Sequence, residues 1–187
     1  MHSSPPSTAQ PATPPAAQPS RIVLAGFMGS GKSTVGPLLA ARLGWRFVDV
    51  DEVLEAEAGI PIAQIFARHG ENHFREIEQA TIARLAVTDS LVLALGGGAL
   101  ERPATRDLLL ATPGTLLVHL EVELATTLAR CRGTEHLRPI LADQANLADR
   151  YQRRLPFYRM AHVSVSVDSL TPDEVADEIL RLARPQP

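Results

Sequence analysis

Apolar residues gather in five short runs along this chain, at 21–25, 46–50, 91–95, 115–120 and 163–167. Helix-period patterns lie between them, at 32–43, 52–58, 62–69, 72–87, 103–111, 122–131, 144–160 and 172–184. Alternation of this kind predicts parallel strands joined by crossover helices, hence an α/β doubly wound sheet. The run Leu91-Val92-Leu93-Ala94-Leu95 is apolar at every position, as expected of a strand covered on both faces. Ligands of such sheets sit beyond the carboxyl ends of the strands, so the residues after each run are the candidates for chemistry.

Residues 1–20 break the pattern. They are mainly Pro, Ala, Ser, Thr and Gln, without Asp, Glu, Lys or Arg. Such a stretch cannot bury enough apolar surface to fold, and it is expected to be a disordered tail before a single domain over 21–187. It has neither the apolar core of a signal peptide nor the arginines of a transit peptide.

Composition narrows the class. The 187 residues are 45% hydrophobic and 21% charged, with a net charge of −3, which suits a soluble domain with ample core and makes no case for nucleic acid or membrane partners. No apolar run is long enough to span a bilayer. The single cysteine, Cys131, excludes an internal disulfide and suits a reducing cytoplasm. The expectation is a cytoplasmic, monomeric protein.

The first run leads into Gly26-Phe27-Met28-Gly29-Ser30-Gly31-Lys32-Ser33-Thr34, a G-x-x-x-x-G-K-S loop between strand and helix. Glycines let the backbone curl until successive N–H groups face a phosphate, and the following helix adds its positive end. Lys32 is the only lysine in a chain with 18 Lys+Arg. A compact ammonium fits a phosphate cradle where a planar guanidinium does not. Lys32 would meet the β/γ-phosphates and the Ser33 hydroxyl would ligate Mg²⁺. Pro37 lies inside the helix that follows, so a kink or a loosened turn is expected near 33–37.

Beyond the second run come Asp49 and Asp51, two apart and so on one face if both lie on a strand. One could hold Mg²⁺ and the other take a proton from a substrate hydroxyl; Asp51 could instead cap the next helix. Arg75 and Glu78 share a helix face, either as a solvated pair or as an arginine braced to grip a substrate carboxylate. The third run ends in Gly96-Gly97-Gly98, a flexible turn or a place for close approach to backbone. The segment from Cys131 to Pro139 is polar, with Arg132 and Arg138 near its ends; it reads as a surface loop or as a flap closing over a nucleotide. Of Arg153 and Arg154, one can face a cleft.

Taken in order, the phosphate loop, Phe47-x-Asp49-x-Asp51, Phe74-Arg75-x-x-Glu78, Gly96-Gly97-Gly98, Leu137-Arg138-Pro139-Ile140-Leu141 and Arg154-x-Pro156-x-Tyr158 resemble the shikimate kinases. The resemblance spans about 21–184. It implies a three-layer P-loop kinase fold with a five-stranded parallel sheet flanked by helices. It also implies ATP- and Mg²⁺-dependent phosphorylation of the 3-hydroxyl of shikimate, on the way to chorismate and the aromatic amino acids. On that basis Gly29, Ser30, Gly31, Lys32, Ser33 and Thr34 bind the ATP phosphates. Ser33 and Asp49 serve the metal, and Asp51 contacts the reacting hydroxyl. Arg75 and Arg154 grip the shikimate carboxylate with help from Gly97. Arg138, in a lid over about 131–143, reaches ATP, and Arg132 lies near the adenine. The alternatives are another small-molecule P-loop kinase, such as a gluconate kinase, or a nucleotide-dependent regulatory module. A GTPase base-reading motif would need a second lysine, which the chain lacks.

Overall fold

The computed structural model describes residues 11–13, 17–131 and 144–184. The lid segment with Arg132 and Arg138, and most of the tail, lie outside the described residues. The strands are β1 (Arg21–Ala25), β2 (Arg46–Asp49), β3 (Leu91–Ala94), β4 (Thr115–Glu121) and β5 (Val163–Ser166). The helices are α1 (Lys32–Leu43), α2 (Val50–Ala58), α3 (Ile62–Leu85), α4 (Pro103–Ala111), α5 (Leu124–Arg130), α6 (Gln144–Tyr158) and α7 (Pro172–Leu182). A short 3₁₀ turn, Ala99–Glu101, follows the triple glycine.

All strand pairs are parallel, in the order β2-β3-β1-β4-β5. The three inner strands are buried almost throughout, whereas the edge strands β2 and β5 are half-exposed. That gradient is the physical content of the all-apolar runs: only strands with helices on both faces can be apolar at every position. The order also sets the site. β1 lies between β3 and β4, so its phosphate loop emerges beside the triple glycine of β3, and the β2–α2 junction flanks the latter. Among the described residues, no helix is long and apolar enough to cross a membrane.

Three expectations meet the structure differently. The helical pattern of 62–87 is interrupted as expected, at Gly70, whose φ of 81° breaks α3 into two segments. At Pro37, where a kink or a loosened turn is expected, α1 continues without interruption from Lys32 to Leu43. Pro37 is exposed and removes only the donor that would have met the Ser33 carbonyl. Pro37→Ala is therefore expected to raise stability by about 1–2 kcal/mol, the helix-interior proline penalty less the gain in unfolded-chain entropy. A denaturant midpoint unchanged or lowered in the variant would contradict this. Finally, Pro19 and Ser20, assigned by composition to the tail, pack against the start of the sheet. Pro19 is buried, the Ser20 N–H donates to the Gly114 carbonyl at 2.9 Å, and the Ser90 N–H donates to the Ser20 carbonyl at 2.7 Å.

Candidate active site

The phosphate loop is shaped by glycines in conformations that other residues resist: Gly29 has φ 74° and Gly31 φ 92°. Gly31 is also the N-cap of α1 and brings no side-chain cap. By contrast, α2 is capped by Asp49 and α7 by a Thr171–Glu174 capping box. The start of α1 thus carries no side-chain cap that would compete with an anion, and no acidic residue in its first turn to repel one. Lys32 Nζ folds back over the loop, donating to the Gly26 carbonyl at 2.7 Å and the Phe27 carbonyl at 3.2 Å. Ser30 is buried, while Ser33 and Thr34 are exposed at the mouth.

The Asp49/Asp51 pair is not arranged on one strand face as expected. Asp49 ends β2 and caps α2, accepting from the Asp51 N–H at 2.9 Å, and Asp51 lies in the first turn of that helix. The chain turns between them because a carboxylate beside free helix donors makes a better cap than a strand residue. The cap also aims Asp51: its Oδ1 comes within 2.8 Å of the point where a Cβ on Gly96 would stand, as does Glu78 Oε1. Burial and then the neighbouring Asp49 push the Asp51 carboxyl up to about 6, with Lys32 opposing.

Across the glycines stands an arginine pair. Arg75 Nη1 donates to Glu78 Oε2 at 2.7 Å, and the Glu78 side chain is 3% exposed. This is a buried brace rather than a solvated pair. Burial raises the Glu78 carboxyl, with Arg75 opposing. Of the two consecutive arginines on α6, the Arg154 side chain is 7% exposed and Arg153 58%, so Arg154 is the one that turns inward. A Cβ on Gly98 would overlap the Arg75 guanidinium and stand 2.9 Å from Arg154 Nη2. The two guanidinium groups therefore converge on one glycine, and the triple glycine is a close-approach surface, not merely a turn. The Tyr158 hydroxyl holds it by donating to the Gly97 carbonyl at 2.5 Å, and His119 stacks under that ring. Phe27 of the phosphate loop meets Tyr151 of α6 edge-on, with the Arg154 guanidinium 6.0 Å from its ring centre, tying the two halves together.

The arrangement is a phosphate cradle and an arginine pair, with a carboxylate between them on the β2–β3 side. A family model described as shikimate kinase matches residues 28–184. The chain belongs to the shikimate kinase family. It is 42% identical to the shikimate kinase of Moorella thermoacetica, over 86% of this chain and 92% of that one. The enzyme of Salinibacter ruber is 40% identical over 90% and 86%. The structure of shikimate kinase from Acinetobacter baumannii in complex with shikimate superposes with a TM-score of 0.80 at 34% identity, covering 88% of this chain and 92% of that one. A gluconokinase from Sinorhizobium meliloti 1021 is 24% identical with a TM-score of 0.55, a likeness of fold alone.

Within this family frame, the described candidates Gly29, Ser30, Gly31, Lys32, Ser33, Thr34, Asp49, Asp51, Arg75, Gly97 and Arg154 gather at one end of the sheet. Two residues escaped the sequence reading. Arg130, closing α5, donates to the Gly29 carbonyl at 3.1 Å and the Val167 carbonyl at 2.8 Å. Glu101 accepts from Arg154 Nε at 2.7 Å. Neither sits in a spacing that sequence periodicity could flag.

Proposed function

We propose that this chain phosphorylates the 3-hydroxyl of shikimate with ATP and Mg²⁺. The observation that carries the reading is the convergence of Arg75 and Arg154 on Gly98, beside a phosphate loop and within reach of Asp51's glycine neighbour. Two guanidinium groups at one point are a bidentate receptor for a carboxylate. A small acid held there by its far end presents a hydroxyl toward Asp51 and the cradle.

Gly29 through Thr34 would hold the ATP phosphates, with Lys32 moving from the loop carbonyls to the β/γ-phosphates. The Ser33 hydroxyl and the Asp49 carboxylate, whose Oδ1 alone serves the cap, are hard oxygen donors of the kind that suit Mg²⁺. When bound, the ion neutralises charge on the phosphates. Asp51 orients the hydroxyl and accepts its proton as the hydroxyl oxygen bonds to the γ-phosphorus and ADP leaves. Such transfer depends on positioning and charge neutralisation, so distant carboxylate binding energy is used to align the reacting end. Gly97 contributes backbone contact. Arg130 joins the nucleotide side through its bond to the phosphate loop. Arg138 would reach ATP from the lid and Arg132 would lie near the adenine. The protein would act as a cytoplasmic monomer.

A coupled ADP-release assay tests the reading. Turnover should require shikimate and Mg-ATP together and should not be stimulated by gluconate. Turnover with gluconate in place of shikimate, or tight ATP binding that no small acid converts to turnover, would overturn it.

A further inference from the structure

We propose that Glu101 is a positioning residue for the acid pocket. It holds Arg154 by the Nε edge so that the Nη edge faces the substrate carboxylate. The proposal rests on the reading of Arg154 as a carboxylate grip and assigns a task to a residue outside every motif in the chain.

Four observations carry it. First, the guanidinium is divided by edges. Nε donates to Glu101 Oε1 at 2.7 Å, while Nη1 and Nη2 lie 3.4 and 2.9 Å from the points where Cβ atoms on Gly97 and Gly98 would stand. The edge left to the glycine loop is therefore the one with two parallel donors. Second, the carboxylate is shared between consecutive arginines. Its Oε2 accepts from Arg153 Nε at 3.3 Å, and that side chain remains largely exposed whereas Arg154 is enclosed. Glu101 stands where the two paths separate.

Third, the turn that carries Glu101 is itself anchored. Arg106 of α4 donates to the Leu100 carbonyl at 2.6 Å and the Glu101 carbonyl at 3.1 Å. The same guanidinium lies 4.6 Å from the ring centre of Phe157, on the helix that bears Arg154. The brace and the braced residue are thus fixed to each other by a second route. Fourth, the pocket gathers like charges. Arg150 is held below its ordinary value by burial and then by Arg154 and Arg153, while Glu101 and Glu71 oppose this. Burial resists ionisation of Glu101, but the charges and hydrogen bonds of Arg154 and Arg153 prevail and hold its carboxyl below the usual range, so it stays ionised near neutrality. An arginine side chain carries considerable rotamer entropy and is repelled by its neighbours. An ionised partner at Nε holds it in place before substrate arrives.

The consequence is a selective effect on acid binding. In Glu101→Ala, the KM for shikimate should rise about 10-fold, as expected for a lost charge-assisted hydrogen bond, with kcat and the KM for ATP within about two-fold. Glu101→Gln, which keeps an acceptor without the charge, should recover part of that loss. Arg154→Ala is measured in parallel, and the double variant should be no worse than Arg154→Ala alone. If Arg154→Ala leaves the KM for shikimate unchanged, the grip reading fails. If Arg154→Ala raises it and Glu101→Ala does not, or lowers it because Glu101 competes with substrate, the positioning proposal alone is overturned. A fall in kcat, ATP affinity and melting temperature together in Glu101→Ala would also overturn it, since that is the mark of a residue that only holds the fold.

Discussion

Asp51→Asn should reduce turnover by about 10²–10⁴-fold, the usual range for loss of a positioned proton acceptor, while ATP binding stays within about two-fold. Asparagine preserves shape and a hydrogen-bond acceptor but cannot take the proton of the substrate hydroxyl. The stability effect should run the other way. Burial and Asp49 place the folded carboxyl at about 6, above its ordinary value of 3.8. The folded state thus binds a proton more readily than the unfolded chain, and stability declines as pH rises from about 4 through 6. At neutral pH the ionised Asp51 is a cost to the fold. Removing it should stabilise the protein by on the order of 1 kcal/mol, allowing for partial solvent access. The same titration sets an acid limb: kcat/KM of the parent protein should fall as pH drops below about 6. Near-normal turnover in the variant, or a parent profile flat down to pH 5, would remove Asp51 from the role.

Arg75→Ala should act on both binding and folding. Loss of a charge-assisted grip should raise the KM for shikimate about 10–100-fold. The folding effect follows from Glu78, whose side chain is 3% exposed and whose Oε1 is buried without a hydrogen-bond partner among the described residues. Removing Arg75 leaves that carboxylate without its opposing charge, at a cost of about 3–5 kcal/mol. Glu78 can respond by taking a proton, since burial already raises its carboxyl above the ordinary value. The variant's deficit should therefore shrink as pH falls and grow as pH rises through the folded value. Arg75→Ala/Glu78→Gln separates the two effects: it should restore most of the melting temperature and none of the affinity. Recovery of affinity in the double variant would mean that Arg75 does not touch the acid.

What the chain determines by itself is what its local chemistry can specify. The phosphate loop was legible because glycines, Lys32, Ser33 and the helix start are contiguous, so the cradle forms wherever strand and helix form. The strands were legible because inner strands of a doubly covered sheet are largely apolar, β3 throughout, and the gap between the helical patterns at 62–69 and 72–87 falls at the break in α3. Pro37 does not end α1, because a proline removes one donor and a packed helix can absorb the loss.

Long-range placement lay with the tertiary structure. Sequence spacing put Asp49 and Asp51 on one strand face; the free donors of α2 drew Asp49 into a cap and moved Asp51 onto the helix. Two adjacent arginines look alike in sequence, and only the packing of α6 against the Ala99–Glu101 turn turned Arg154 inward. Glu101 and Arg130 were invisible for the same reason. Their partners lie 53 and 101 positions away, and periodicity carries no information about which distant charges a sheet order brings together. The sequence by itself determined the cradle, whose Lys32 and helix-start hydrogen bonds close within a few residues. The fold decided the arginine pair, because Arg75 and Arg154 come from separate helices and only the packed sheet brings their guanidinium groups together at Gly98.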